Sequence, residues 1–204
     1  MTLCAVLSDL DGVIRFYDMS GVEKLERSAG LAPGRTAEVA FAPENDLPLM
    51  LGRISREQWV GSIARGLAGG GQVSWEQGRE LGEALAGAGF SADADAVALL
   101  RRARAARLHV SLVTNATPWL DEDLAALGLA DLADDVVSSA VVGLAKPDPR
   151  IYELAARRAG VPAERCLFVD DRQENVDAAV ALGMTGVLYR EPGDLRDALA
   201  PLLA

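Results

Sequence analysis

The stretch "LSDLDGVIRF", residues 7–16, ends an apolar run on two carboxylates, Asp9 and Asp11, with Gly12 directly after them. Desolvated charge at the end of a buried strand is costly, so the pair needs a reason. An ordinary turn is one. The other is a cationic group at which both acids are aimed. Residues two apart in an extended chain point to the same side, and the glycine leaves room for the backbone to change direction.

Working outward, "LCAVLS" at 3–8 reads as the strand that carries the pair. Further short strands are predicted at 108–114 ("LHVSLVT"), 136–139 ("VVSS"), 166–170 ("CLFVD") and 185–189 ("TGVLY"). Helical patterns lie between them, with start and stop signals of their own. Thr117-Pro118 and Asp148-Pro149 each offer an N-cap followed by proline at the first helical position, and Gly160 and Gly183 sit where helices end. "NVDAAVALG" at 175–183 and the final "GDLRDALAPLLA" are read as helices. The alternation predicts an α/β core, a Rossmann-like parallel sheet with helices on both faces.

Residues 16–89 break the alternation. They carry helical patterns and no convincing strand, with capping-box spacing at Ser55-x-x-Gln58 and Ser74-x-x-Gln77 and a flexible connector, "GLAGGGQ", at 66–72. The organisation expected is a core domain of 1–15 and 90–204, with an all-helical insertion at 16–89 entered and left near 15–18 and 86–92.

The 204 residues suit one core domain with a modest insertion. A net charge of −10 argues against polyanionic partners, so neither nucleic acid nor an anionic membrane is expected. No signal peptide and no apolar run of membrane-spanning length is found, and a cytoplasmic protein is expected. The two cysteines, Cys4 and Cys166, both open apolar runs and read as inert core thiols. His109, the only histidine, lies within a predicted strand and reads as a packing residue.

Four short segments fall at or just beyond predicted strand ends: Asp9-x-Asp11-Gly12, Thr114-Asn115, Lys146-Pro147 and Asp170-Asp171. In an open α/β sheet those ends form one rim, where ligands bind. Two like charges about 4 Å apart repel by roughly 4 kcal/mol at an effective dielectric near 20. Four acids on one rim therefore either raise their pKa values or hold a cation. Oxygen ligands without histidine or cysteine suit Mg²⁺, and Lys146 adds a second positive charge. Such a rim accepts a phosphate group.

The ordered set "DLDGV", "TN", "KP" and "VDD" resembles the four motifs of the haloacid dehalogenase superfamily, and in particular its phosphatase-type members with a helical cap inserted after the first motif. Residues 143–184 carry the most specific part of the likeness. The resemblance implies that Asp9 is the nucleophile, forming an aspartyl-phosphate. It implies that Asp11 is the acid/base, its carbonyl also reaching the metal. Thr114 and Asn115 would bind the phosphoryl oxygens, and Lys146 would neutralise charge on phosphate and nucleophile. Asp171, with Asp170 beside it, would complete the Mg²⁺ site. Asn175 would either cap a helix or orient Asp171.

The expected function is Mg²⁺-dependent hydrolysis of a small phosphorylated metabolite. A sugar phosphate comes first, because the insertion loosely resembles sugar-phosphatase caps. A phosphomutase of the β-phosphoglucomutase type would keep the same residues, and an inactive phosphate-binding protein is a third reading. A dehalogenase would need neither Asp11 nor a metal. Arg15, Tyr17, Arg53 and Trp59 are candidate substrate contacts, and a monomer and a homodimer are both compatible with the chain.

Overall fold

The computed structural model describes residues 2–203. Among them the chain forms strands β1 (Ala5–Ser8), β2 (Arg15–Asp18), β3 (Gly89–Ala92), β4 (His109–Thr114), β5 (Asp135–Ser138), β6 (Cys166–Asp170) and β7 (Thr185–Leu188). Five make a sheet in the order β5-β4-β1-β6-β7, all parallel. β1 lies at its centre and is buried along its whole length. That position accounts for its unbroken apolar run, since a central parallel strand meets protein on both faces.

The period of two in a strand divides the core. Val6, Val110, Leu112 and Leu167 face one layer, which holds Leu100, Leu124 and Leu195. Ala5, Leu7, Val113 and Phe168 face the other, which holds Ile151, Tyr152, Ala155 and Ala179. The helices supplying these residues are part of α1 to α11. In the insertion, α1 is Ser20–Ser28, α2 Arg35–Ala40, α3 Pro43–Met50, α4 Arg56–Gly69 and α5 Trp75–Ala86. In the core, α6 is Ala94–Ala105, α7 Leu120–Ala126, α8 Ser139–Val142, α9 Pro149–Ala159, α10 Gln173–Ala181 and α11 Pro192–Leu199. The chain divides into one unit of Met1–Phe16 with Ala92–Ala204 and a second of Tyr17–Ser91.

Local signals set most helix ends. Asp148 caps α9 by accepting from the Arg150 N–H at 3.0 Å, Pro149 follows, and Gly160 closes the helix at φ 70°. Both capping boxes form: the Ser55 and Ser74 hydroxyls accept from Gln58 and Gln77 N–H, each at 3.2 Å. α7 starts at Leu120, later than Thr117-Pro118 suggests, because Thr117 O accepts from the Leu120 N–H and closes a turn first. α4 runs on through Gly69, shortening the expected connector at 66–72.

Two expectations are corrected. The crossings are not merely loops, because β2 and β3 pair as a two-stranded ribbon with Tyr17 set edge-on to Phe90 at 5.9 Å. Neither strand shows a long alternating pattern, so the pairing is made by the meeting of distant segments. Cys4 is half-buried rather than a core thiol, whereas Cys166 is buried and its thiol is pushed up to about 11 by desolvation. His109, at the start of β4, meets the Ser111 hydroxyl at 3.0 Å, a satisfied partner for its ring.

Inside the insertion α4 and α5 pack closely, since a Cβ at Gly78 would lie 3.0 Å from the Ala64 carbonyl. Glu26 of α1 is buried yet satisfied. Its carboxylate accepts from the Gly34 and Thr36 N–H groups at 2.8 and 2.6 Å, holding the start of α2. Glu26→Ala leaves the N–H of the buried Thr36 without its partner and is expected to cost about 1–3 kcal/mol. A fall in the urea midpoint, smaller for Glu26→Gln, checks this. No helix among the described residues is long and apolar enough to cross a membrane.

Candidate active site

The ladder register aligns the carboxyl ends of three central strands. Ser8 of β1 lies opposite Leu112 of β4 and Val169 of β6, and the Asp9 N–H continues the ladder to Val169 O at 2.8 Å. The residues just beyond these ends therefore converge. With Lys146 from the segment after α8 and Asn175 of α10, they line a cavity of about 200 Å³ formed by Asp9, Asp11, Gly12, Asn115, Lys146, Asp171, Arg172 and Asn175. Pockets that enclose a whole drug-sized ligand measure roughly 300–1,000 Å³, so this one suits the reacting end of a substrate.

Lys146 organises the floor. Its Nζ lies 2.8 Å from Asp9 Oδ1 and 2.7 Å from Asp170 Oδ2, with all three side chains at least nine-tenths buried. The Leu10 N–H also donates to Asp9 Oδ1, at 2.7 Å. Burial is the largest influence on Asp9 and raises its carboxyl to about 7; Lys146 opposes the rise and Asp170 adds to it. Desolvation and the charge of Asp170 likewise raise Asp171. Such a site attracts a cation.

Oxygens of Asp9, Asp170 and Asp171 lie within 4.8 Å of one another, and these donors fit a hard cation such as Mg²⁺. The two neighbouring acids are not equivalent. Asp170 also accepts from Asn175 Nδ2 at 2.9 and 3.1 Å and from the Arg172 N–H at 2.9 Å. With Lys146 added, most of its lone pairs are engaged. Asp171 stands exposed at the cavity.

Several sequence expectations change in detail. Asn175 holds Asp170, not Asp171, and its main-chain carbonyl accepts from the Tyr152 hydroxyl at 3.0 Å. The Asn115 amide is engaged by the main chain of Lys146: Nδ2 donates to the carbonyl at 2.9 Å and Oδ1 accepts from the N–H at 2.7 Å. It thus sets the position of the lysine. Thr114 is fully buried, is not among the lining residues, and its Oγ1 finds no partner among the described residues. Trp59 is a core residue of the insertion, its indole N–H donating to Ala40 O at 3.4 Å. Arg15 is buried against Asp11 and Asp123. Tyr17 and Arg53 remain exposed.

The sequence reading did not single out Arg172, although an aspartate two residues before a backbone donor is an Asx-turn signal. Gly12 does let the backbone turn, as expected, and it has a second reason that the sequence did not show. Gly12 adopts φ +79°, and a Cβ there would lie 2.3 Å from Asp171 Oδ2. Gly12→Ala must displace Asp171. A loss of roughly tenfold or more in metal affinity is expected, as when groups that orient metal ligands are altered; Mg²⁺ titration by calorimetry measures it.

The description of haloacid dehalogenase-like hydrolases matches residues 4–183 of the chain. "Phosphatase MT3486" of Mycobacterium tuberculosis (strain CDC 1551 / Oshkosh) is 32% identical over 213 residues, covering 97% of this chain and 92% of that protein. The HAD family enzyme bt-2542 from Bacteroides thetaiotaomicron has a similar fold, with a TM-score of 0.74 at 18% identity over 98% of this chain and 99% of that one. The same enzyme in complex with magnesium and inorganic phosphate superposes with a TM-score of 0.67 at 21% identity, covering 90% and 92%. The chain belongs to the haloacid dehalogenase-like hydrolases.

Proposed function

We propose that the chain is a Mg²⁺-dependent phosphatase that hydrolyses a small phosphorylated metabolite through an aspartyl-phosphate on Asp9. The observation that carries this reading is the buried Asp9–Lys146–Asp170 array beside the exposed Asp171. The phosphatase relative, which matches nearly the whole chain, supports it, as does the phosphate and magnesium bound by the structurally similar enzyme.

Both polar contacts of Asp9 described above fall on Oδ1, leaving Oδ2 to attack phosphorus. As the Oδ2–P bond forms, the ester P–O bond breaks, and the departing oxygen takes a proton from Asp11. Asp11 then removes a proton from water, whose oxygen attacks the same phosphorus. The P–O bond to Asp9 breaks, releasing inorganic phosphate. Lys146 neutralises charge on Asp9 and on the phosphoryl group, while Asp170, Asn175 and Asn115 hold Lys146 in place.

Asp9, Asp171 and the Asp11 carbonyl would hold Mg²⁺, with Asp170 alongside as a positioning group for Lys146. The ion would neutralise charge on the phosphoryl oxygens. A sugar phosphate is the substrate we place first, on the likeness of the insertion to sugar-phosphatase caps.

The test is a phosphate-release assay over a panel of metabolites including glucose 1-phosphate, with Mg²⁺ and with EDTA. Release with Mg²⁺ that EDTA stops and added Mg²⁺ restores is the expected result. Conversion of glucose 1-phosphate to glucose 6-phosphate would mark a mutase instead. Turnover of 2-chloropropionate in EDTA would overturn the reading.

A further inference from the structure

Arg15 is among the largest fully buried side chains of the protein, and it is charged. Burying a guanidinium is unfavourable unless its donors are met by well-placed acceptors. Here Nε donates to Asp11 Oδ1 at 2.6 Å and Nη2 donates to Asp11 Oδ2 at 2.9 Å, while Nη1 donates to Asp123 Oδ2 at 2.7 Å. A two-pronged bond fixes both the direction and the plane of a carboxylate, which a lysine ammonium cannot do.

The backbone prepares this contact. The Ile14 and Arg15 N–H groups both donate to Leu10 O at 2.8 Å, and the Gly12 N–H donates to Arg15 O at 3.0 Å. The chain thus turns back on itself directly after Asp11, bringing Arg15 beside it. Asp123 comes from the first turn of α7, more than 100 residues away in sequence, and its side chain is only 14% exposed. It anchors the far end of the guanidinium. Asp11, at 36%, faces the cavity.

We propose that Arg15, anchored by Asp123, is a positioning residue that aims the Asp11 carboxylate at the oxygen leaving phosphorus. The fork occupies one lone pair on each Asp11 oxygen and leaves the other for proton transfer. The inference rests on the phosphatase reading, with Asp11 as the acid.

Leaving-group dependence tests it. An acid matters most when the leaving group is a poor one, such as the alkoxide of a sugar or glycerol phosphate. It matters little for 2,4-dinitrophenyl phosphate, whose phenolate departs unaided. Arg15→Lys keeps the charge and removes the fork; Asp123→Ala keeps the fork and removes its anchor.

Both variants are expected to lower kcat/KM on glycerol phosphate roughly tenfold or more beyond any loss on the dinitrophenyl ester, part of the 10²–10⁴ of acid–base catalysis. The ratio kcat/KM reports the transfer to Asp9, in which the leaving group departs, whereas kcat also contains the hydrolysis of the aspartyl-phosphate, where Asp11 serves both esters alike as base. An equal fall in kcat/KM on both esters, or no fall in either variant, would overturn the proposal, since a structural tie would affect both alike. Thermal melts report folding, and if Arg15→Lys does not fold, Asp123→Ala alone decides the outcome. Asp11→Asn is the control: if it lacks the same selectivity, Asp11 is not the acid, and both the phosphatase reading of that residue and the role of Arg15 fail. If Asp11→Asn is selective and the two variants are not, only the role of Arg15 fails.

Discussion

Asp9→Asn is expected to lower phosphate release from p-nitrophenyl phosphate by a factor on the order of 10³ or more while the protein remains folded. Asparagine keeps the shape and an acceptor for the Lys146 and Leu10 donors, so the cavity survives; what is lost is the nucleophilic oxygen. A circular-dichroism melt alongside the assay separates loss of chemistry from loss of fold. Activity close to that of the parent would remove Asp9 from its role.

The same substitution carries a pH signature. Burial, opposed by Lys146, raises Asp9 from 3.8 to about 7 in the folded protein. The folded state therefore binds this proton more tightly than the unfolded chain does. The stability it contributes is fully present below about pH 4 and is lost as pH rises through about 7. Asparagine has no such titration. In EDTA, Asp9→Asn should gain stability relative to the parent between pH 4.5 and pH 8 (roughly the window these values span), and parallel curves would contradict the assignment.

Lys146→Met is expected to have the largest effect on stability. The ammonium lies within 2.8 Å of both Asp9 and Asp170, and removing it leaves two buried carboxylates facing each other. Breaking a buried ion pair from one side costs about 3–5 kcal/mol, or a fall of about 10 °C in Tm for a chain of this size. Methionine keeps an unbranched stem of similar length and removes the ammonium, which also lies 5.8 Å from the ring centre of Phe168. The loss is thus attributable to charge. Turnover should also fall to background, because the nucleophile would lose its counter-charge. A Tm within about 2 °C of the parent, where roughly 0.5–1 kcal/mol is at stake, would show that the array contributes little.

Much of this was legible in the order of residues. Each of the five core strands is a short apolar run, and β6 has the predicted limits of 166–170. The capping boxes at Ser55 and Ser74 and the Asp148-Pro149 start need only neighbours within one turn, so their geometry is written locally. Three of the four polar segments were legible because each directly follows a core strand, and a parallel sheet brings such ends to one rim; Lys146 instead follows α8, eight residues beyond β5.

The partners of those polar groups were not legible. Nothing in the spacing of Asn175 distinguishes Asp170 from Asp171 as its partner, and the choice depends on the helical turn that brings Nδ2 to 2.9 Å from Asp170. Asn115 was read as a substrate donor, and nothing in its spacing showed that its amide braces the main chain of Lys146, 31 residues away. Arg15 was read as a candidate substrate contact, although a turn buries it against Asp11 and an acid on α7. The ribbon of β2 and β3 likewise exists only because two distant crossings meet.

By itself, then, the sequence determined which elements form and which side chains stand at the strand ends, because hydrophobic period and capping act over a few residues. Only the tertiary structure decided which donor meets which carboxylate. Hydrogen bonds and ion pairs are resolved at tenths of an ångström between segments that no local pattern relates, and in a buried site each choice of partner separates a held charge from a costly one.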